Sequence, residues 1–311
     1  MNRRLVGALL VLLLVSLQLL IFLAQRRLPL SQPASPNRTT ASATRMRAKA
    51  PPVTSKVLRW AISPDLSTWK MLPYTVKGVG TPQMAWFEGH LVTFCSDPSR
   101  VQTISLEPGR GDKLTVGKPQ NVGIEGETAD KQVDPNVIAL PGGGYRLFYT
   151  VSAGNEDPAY ERTEFHSAVR RANRWVREPG CRLSDTGIVD PDVIALPDGT
   201  WRMFFTRGIE EQICSATSSN GLDFVIEPGQ RVAGQVSATI HVGSTYLMAH
   251  QSLGGLFNQG LLHVLRSDDG LQFTPDPRFR WQESNVAVEG PNLIMLKDGR
   301  FLMAYITPQQ R

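Results

Sequence analysis

A unit that returns about every fifty residues constrains this chain more than any other feature. Val133-Asp134-Pro135-Asn136-Val137-Ile138-Ala139-Leu140-Pro141 comes back as Val189-Asp190-Pro191-Asp192-Val193-Ile194-Ala195-Leu196-Pro197. Glu289-Gly290-Pro291-Asn292-Leu293-Ile294-Met295-Leu296 is a third, weaker copy. Each runs into a glycine turn and then an aromatic strand, at 145–149, 201–205 and 300–305. A fixed long period with strand-turn-strand content means stacked or radial repeats. Degenerate copies begin at Thr81-Pro82 and Val236-Ser237. Pro82, Pro135, Pro191, Ser237 and Pro291 therefore mark five inner hairpins at spacings of 53, 56, 46 and 54.

A second motif lies between them, at 63–69, 218–224 and 267–273: Ser, then Asp or Asn two places on, a turn, and an aromatic at the seventh place. Asp and Asn bond their own backbone two residues on, and Asn-Gly or Asp-Gly is the strongest short hairpin signal. Asp65, Asn220, Asp269 and Trp69 are thus read as structural. Hairpins at 101–116 and 167–176 bring the outer set to five. The chain opens on an outer hairpin (57–70) and closes on an inner one (288–306). Each alone is a marginal ribbon; paired, they complete one four-stranded blade. The prediction is an all-β, five-bladed β-propeller over 53–311, almost without helix, whose N-terminal outer hairpin closes the last blade. An open solenoid would want capping repeats at both ends instead.

The first fifty residues stand apart. Leu5 to Ala24 hold only Ser16 and Gln18 as polar residues and match the thickness of a bilayer as a helix. No small-x-small cleavage site follows closely, so residues 1–27 are expected to be an uncleaved transmembrane anchor with basic flanks. Residues 28–52, rich in Ser, Thr, Pro and Ala, are expected to form a disordered stem, with a possible glycosylation triplet at Asn37-Arg38-Thr39. Residues 1–50 contain eight Lys and Arg and no acid, which leaves 25 bases against 28 acids in the rest. The net charge of +5 therefore belongs to the membrane-proximal segment, and nothing calls for nucleic acid. The expectation is a membrane-tethered, monomeric domain on the extracytoplasmic side. Cys95, Cys181 and Cys214 fit no zinc pattern or disulfide framework. His166, His241, His250 and His263 show no ligand spacing, so no metal and no other cofactor is expected.

In a propeller the leading ends of the innermost strands gather at one mouth of the channel. In chain order these positions are Thr81, Asp134, Asp190, Val236 and the Glu289-Gly290 pair. Converging carboxylates are what glycoside hydrolysis needs, one to donate a proton and one to activate water or attack the sugar. Asn136, Asp192 and Asn292 follow two places on and by strand alternation should share that face as partners for sugar hydroxyls. Trp86 and Trp281 are candidate stacking platforms, with Trp60 and Trp201 read as core.

The Asp-Pro-x-Val-Ile…Gly-x-aromatic pattern, with its Ser-x-Asp-Gly hairpins, resembles the five-bladed propeller glycosidases of the arabinanase/β-xylosidase and levansucrase/invertase type. The resemblance covers 57–311. It implies a carbohydrate-active domain that takes an oligo- or polysaccharide, with Asp134 as base, Asp190 as the residue that tunes pKa and orients substrate, and Glu289, set in Glu-Gly-Pro, as acid. Those families place the three acids on consecutive blades. Here the fourth blade opens on Val236-Ser237, and His241 or Glu210-Glu211 are the conceivable substitute donors. A non-catalytic glycan-binding or protein-interaction propeller is the alternative; a sialidase is disfavoured because no arginine cluster accompanies the hairpin motif.

Overall fold

The computed structural model describes residues 56–97, 100–109, 113–152, 162–208, 211–252, 261–281 and 288–308. The expected anchor, the stem, Asn37 and Glu210 lie outside them. Among the described residues there is no helix, so none long and apolar enough to cross a membrane.

The five inner hairpins form where the repeat places them. They pair Gly80–Phe87 with His90–Ser96, Lys131–Ala139 with Tyr145–Ser152, and Ile188–Ala195 with Trp201–Arg207. The last two pair Gln235–Val242 with Thr245–Gln251, and Glu289–Met295 with Phe301–Pro308. Each carries a third and a fourth antiparallel strand outward, making blades I to V. Blade V is composite. Its order runs from Lys70–Lys77 through Lys56–Ser63 and Phe301–Pro308 to Glu289–Met295, so the N-terminal hairpin closes the ring. Eight consecutive residue pairs, Lys56↔Pro308 to Ser63↔Phe301, join the two ends. Short edge strands at Gln120–Asn121, Ile124–Glu125, Leu183–Thr186 and Val232–Ala233 are additions that the repeat does not reveal.

The outer turns follow from their side chains. Asp65 Oδ1 accepts from the N–H groups of Ser67 and Thr68, and Ser63 Oγ accepts from Leu66 N–H. Asn220 with Ser218, and Asp269 with Ser267, repeat the pattern. The turn needs a left-handed residue, supplied by Gly221 (φ 69°), Gly270 (φ 67°) and Leu66 (φ 71°). Leucine is disfavoured there, but Leu66 is fully buried against Trp69, whose Nε1 donates to Leu66 O.

Neighbouring blades are latched through these turns. Arg146 of blade II holds Glu178 at 2.7 and 2.9 Å and reaches Gly221 O of blade III. Arg202 of blade III holds Glu227 at 3.0 and 3.2 Å and reaches Asp269 O of blade IV. Ser167 and Ser215 hydroxyls complete the two carboxylate sites. The apolar core lies between blades, in clusters around Trp60, Tyr305, Tyr149 and Phe205.

Candidate active site

All five inner strands open on the same irregularity. One extra residue is inserted after Gly80, Val133, Val189, Gln235 and Glu289 relative to the paired strand. At each bulge sits a residue with positive φ: Thr81 (41°), Asp134 (53°), Asp190 (57°), Val236 (48°) and Gly290 (53°). A β-branched residue held there is a genuine outlier. Strained positions that persist through every repeat must be over-determined by their surroundings, and such strain gathers at functional sites. Gly290, and not Glu289, is therefore the counterpart of Asp134 and Asp190.

Asp134 and Asp190 lie at equivalent places on adjacent blades. Asp134 is 9% exposed, and Thr81 Oγ1 donates to its Oδ1 at 2.9 Å. Burial raises its pKa above the carboxylate range, against the Thr81 hydroxyl, the Asp190 N–H and the charge of Lys56. Burial and the negative charge of Asp134 push Asp190 well above that range, against the Thr206 hydroxyl and Lys56. Thr206 Oγ1 also accepts from Val236 N–H at 2.9 Å, which ties the bulge of blade IV to the back of Asp190. Two like charges at one desolvated site cannot both form cheaply, so this pair holds one proton beyond the pH at which a free carboxyl loses it.

Glu289 enters the site through Lys56. Lys56 Nζ lies 2.5 Å from Glu289 Oε2, and the same ammonium acts on both aspartates. Lys56 begins the strand that closes the ring. No sequence signal marks it, because its role arises only once the chain ends meet.

Asn136, Asp192 and Asn292 occupy a different level. Asn136 Oδ1 accepts from Val193 N–H at 3.1 Å, and Asn292 Oδ1 accepts from Met84 N–H at 2.8 Å. Gln83 Oε1 accepts from Val137 N–H at 3.0 Å, and Asp192 accepts from Thr239 N–H. Each side chain staples its blade to the next; blade IV has Ala238 at this place and reaches blade V instead through Gln251, whose Oε1 accepts from Gly290 N–H at 2.8 Å. The bulge supplies the reason: one inserted residue resets the alternation between Asp134 and Asn136. The staples line an axial cavity of about 270 Å³. Asp192 Oδ2 is buried without a well-aligned hydrogen-bond partner, beside the hydroxyls of Ser237 and Thr239. Burial pushes Asp192 up to about 7, with Thr239 and Ser237 only partly opposing.

Of the two tryptophan platforms, Trp86 stands at the turn end of its hairpin and not at the mouth. Trp86 pairs with Leu91 beside the turn, five residues beyond Thr81, and carries Lys297 Nζ over its ring at 4.4 Å. Trp281 packs edge-on against Trp69 and Tyr305, between blades IV and V. His241 stacks on Tyr246 at the turn end of its hairpin, away from the carboxylates. His250 and His263 stack at the mouth end of blade IV, where burial and the neighbouring ring lower His250 to about 4. Among the described residues, no three His, Cys, Asp or Glu side chains are grouped to hold a metal.

Solved structures with this arrangement are known. A thermostable family-43 glycoside hydrolase superposes with a TM-score of 0.58 at 11% identity, over 75% of this chain and 89% of that one. An exo-1,5-α-L-arabinanase from a bovine ruminal metagenomic library gives 0.52 at 12% identity, over 73% and 87%. A family-43 enzyme from Xanthomonas citri, complexed with xylotriose, gives 0.51 at 12% identity, over 80% and 90%. The fold is that of the five-bladed propeller glycosidases. No protein-family model and no curated protein sequence matches the chain.

Proposed function

We propose that the channel mouth binds an oligo- or polysaccharide and hydrolyses a glycosidic bond with the Asp134–Asp190 pair. One observation carries the reading. Two aspartates at equivalent strained positions of adjacent blades, Asp134 buried and Asp190 partly exposed, share one site, with the Asp190 N–H directed to the Asp134 carboxylate. The Thr81 hydroxyl, donating to Asp134 Oδ1, favours the ionised form of Asp134 and leaves the proton of the pair to Asp190 as the donor to the leaving oxygen. Asp134, supported by Thr81 and Lys56, is the base. Glu289 spends its carboxylate on Lys56, so the pair orients substrate at the rim and Glu289 is not the donor. The likeness to family-43 enzymes, one of them holding xylotriose, supports a pentose- or hexose-based polymer as substrate class. An anchor at Leu5–Ala24 would present the mouth to polysaccharide outside the cytoplasm.

Release of aryl alcohol from arabinosides, xylosides and related glycosides by the full-length chain tests this. The expected result is turnover that falls in Asp134→Asn and Asp190→Asn by at least about a hundredfold. The rate should fall on the alkaline side at a pH well above ordinary carboxylate titration, where Asp190 loses its proton. Saccharide binding without turnover in the native chain would replace hydrolysis by recognition alone.

A further inference from the structure

We infer that a second cavity, over the mouth end of blade II, is an extended saccharide subsite built on His166, Glu164 and Arg177. This rests on the mouth being a saccharide site, and extends it outward from Asp134.

At its base is Glu127, whose side chain is 2% exposed. Its Oε2 accepts from Tyr149 OH at 2.7 Å and Arg177 Nε at 3.1 Å, and lies 2.9 Å from His166 Nδ1. Its Oε1 accepts from the N–H groups of Thr128 and Ala129. With both oxygens engaged, this carboxylate binds no ligand; it fixes the His166 ring. The other nitrogen, Nε2, meets Glu164 Oε2 at 2.9 Å, and Glu164 is 42% exposed. The cavity above holds about 530 Å³ and is also lined by Arg162 and Asp130.

The repeat supplies an internal control. Tyr149 and His166 face each other across blade II; the equivalent pair in blade III is Phe205 and Cys214, both buried. Blade III fills this position with apolar side chains, and blades IV, V and I carry His250–His263, Tyr305–Arg59 and Cys95–Gln102 there, so a buried carboxylate–histidine cluster is not required to make a blade. Burying a charge with a full set of donors is expensive, and a structural role does not account for it here. The ligand class follows from the lining. Arg162 and Arg177 supply donors and Glu164 and Asp130 supply acceptors, which suits hydroxyls that both give and accept; His166, with both ring nitrogens engaged, holds Glu164 in place. An anion would meet two carboxylates. Asp130 immediately precedes the inner strand that carries Asp134 and is four residues ahead of it, so their backbones are at most roughly 14 Å apart. A saccharide chain seated at the mouth can therefore continue into the cavity.

The test is calorimetric titration of the full-length chain with xylo- and arabino-oligosaccharides of two to six units. Native protein should bind longer probes more tightly. Glu164→Gln and His166→Gln should each lose roughly tenfold in affinity for the hexasaccharide and nothing for the disaccharide. Glu164→Gln, at a half-exposed position, keeps the test valid if His166→Gln unfolds. If Glu164→Gln leaves the dependence on chain length unchanged while the native protein still binds the disaccharide, the subsite falls and the mouth stands. If native protein binds no probe, both fall.

Discussion

Asp192→Asn should make this protein more stable, by an amount that grows with pH. Gln83, Asn136 and Asn292 perform the same inter-blade stapling with amides that cannot ionise. Asp192 performs it with a carboxyl held at about 7 in place of 3.8. The folded state thus keeps a proton that the unfolded chain gives up. The sign follows: stability is complete below about pH 4 and is lost as pH rises toward about 7. One pKa unit corresponds to about 1.4 kcal/mol, so the full loss is about 4 kcal/mol, reached near pH 8, with roughly 1.5 kcal/mol already lost at pH 5. Asparagine keeps the oxygen that takes the Thr239 N–H and turns its NH₂ toward the Ser237 and Thr239 hydroxyls, which can accept it. Urea unfolding followed by tryptophan fluorescence, from pH 4 to pH 8, reads the difference directly. The two proteins should coincide near pH 4 and separate steadily above it. Parallel profiles, or an asparagine variant that is weaker throughout, would refute the staple. So would loss of saccharide binding in that variant, because it would return Asp192 to the ligand.

Gly290→Ala should destabilise by about 1–2 kcal/mol, since φ is +53° and a Cβ there would lie 3.2 Å from Pro82 Cδ and 3.5 Å from Thr81 Cα; an unchanged thermal midpoint would contradict this. Glu127→Gln should cost about 3 kcal/mol at pH 7, because its donors outweigh the burial that opposes them and hold it at about 2. That cost should fade as pH drops from about 4.5 toward 2, and a pH-independent difference in urea midpoints would count against the arrangement.

The propeller was legible because its signals are local and repeated. The Ser-x-Asx turns, the glycine turns and the aromatic strands each follow from side-chain chemistry within seven residues. The complementary half-blades at the chain ends give closure without any long-range contact being known. The meeting of Asp134 and Asp190 followed from position within the repeat. What the sequence hid was the bulge. Pro135 and Pro191 mark the irregularity, but alternation carried straight through it places Asn136 and Asp192 beside the carboxylates, when the inserted residue commits them to neighbouring strand amides. In the last copy the repeat leaves the entry position to the Glu289-Gly290 pair, and the bulge assigns it to Gly290. Trp86 shows another limit: an aromatic a few residues past a mouth in sequence lies most of a strand length from it in space. Lys56 and the Glu127–His166 cluster join residues 39 to 233 positions apart, and no local pattern announces them.

Diffraction from Asp190→Asn crystals soaked with a xylo- or arabino-oligosaccharide would show where the sugar sits. The account predicts a ring between Asp134 and residue 190, with Lys56 and Glu289 at its rim. A saccharide bound only on the outer faces of the blades, with the mouth empty, would contradict it.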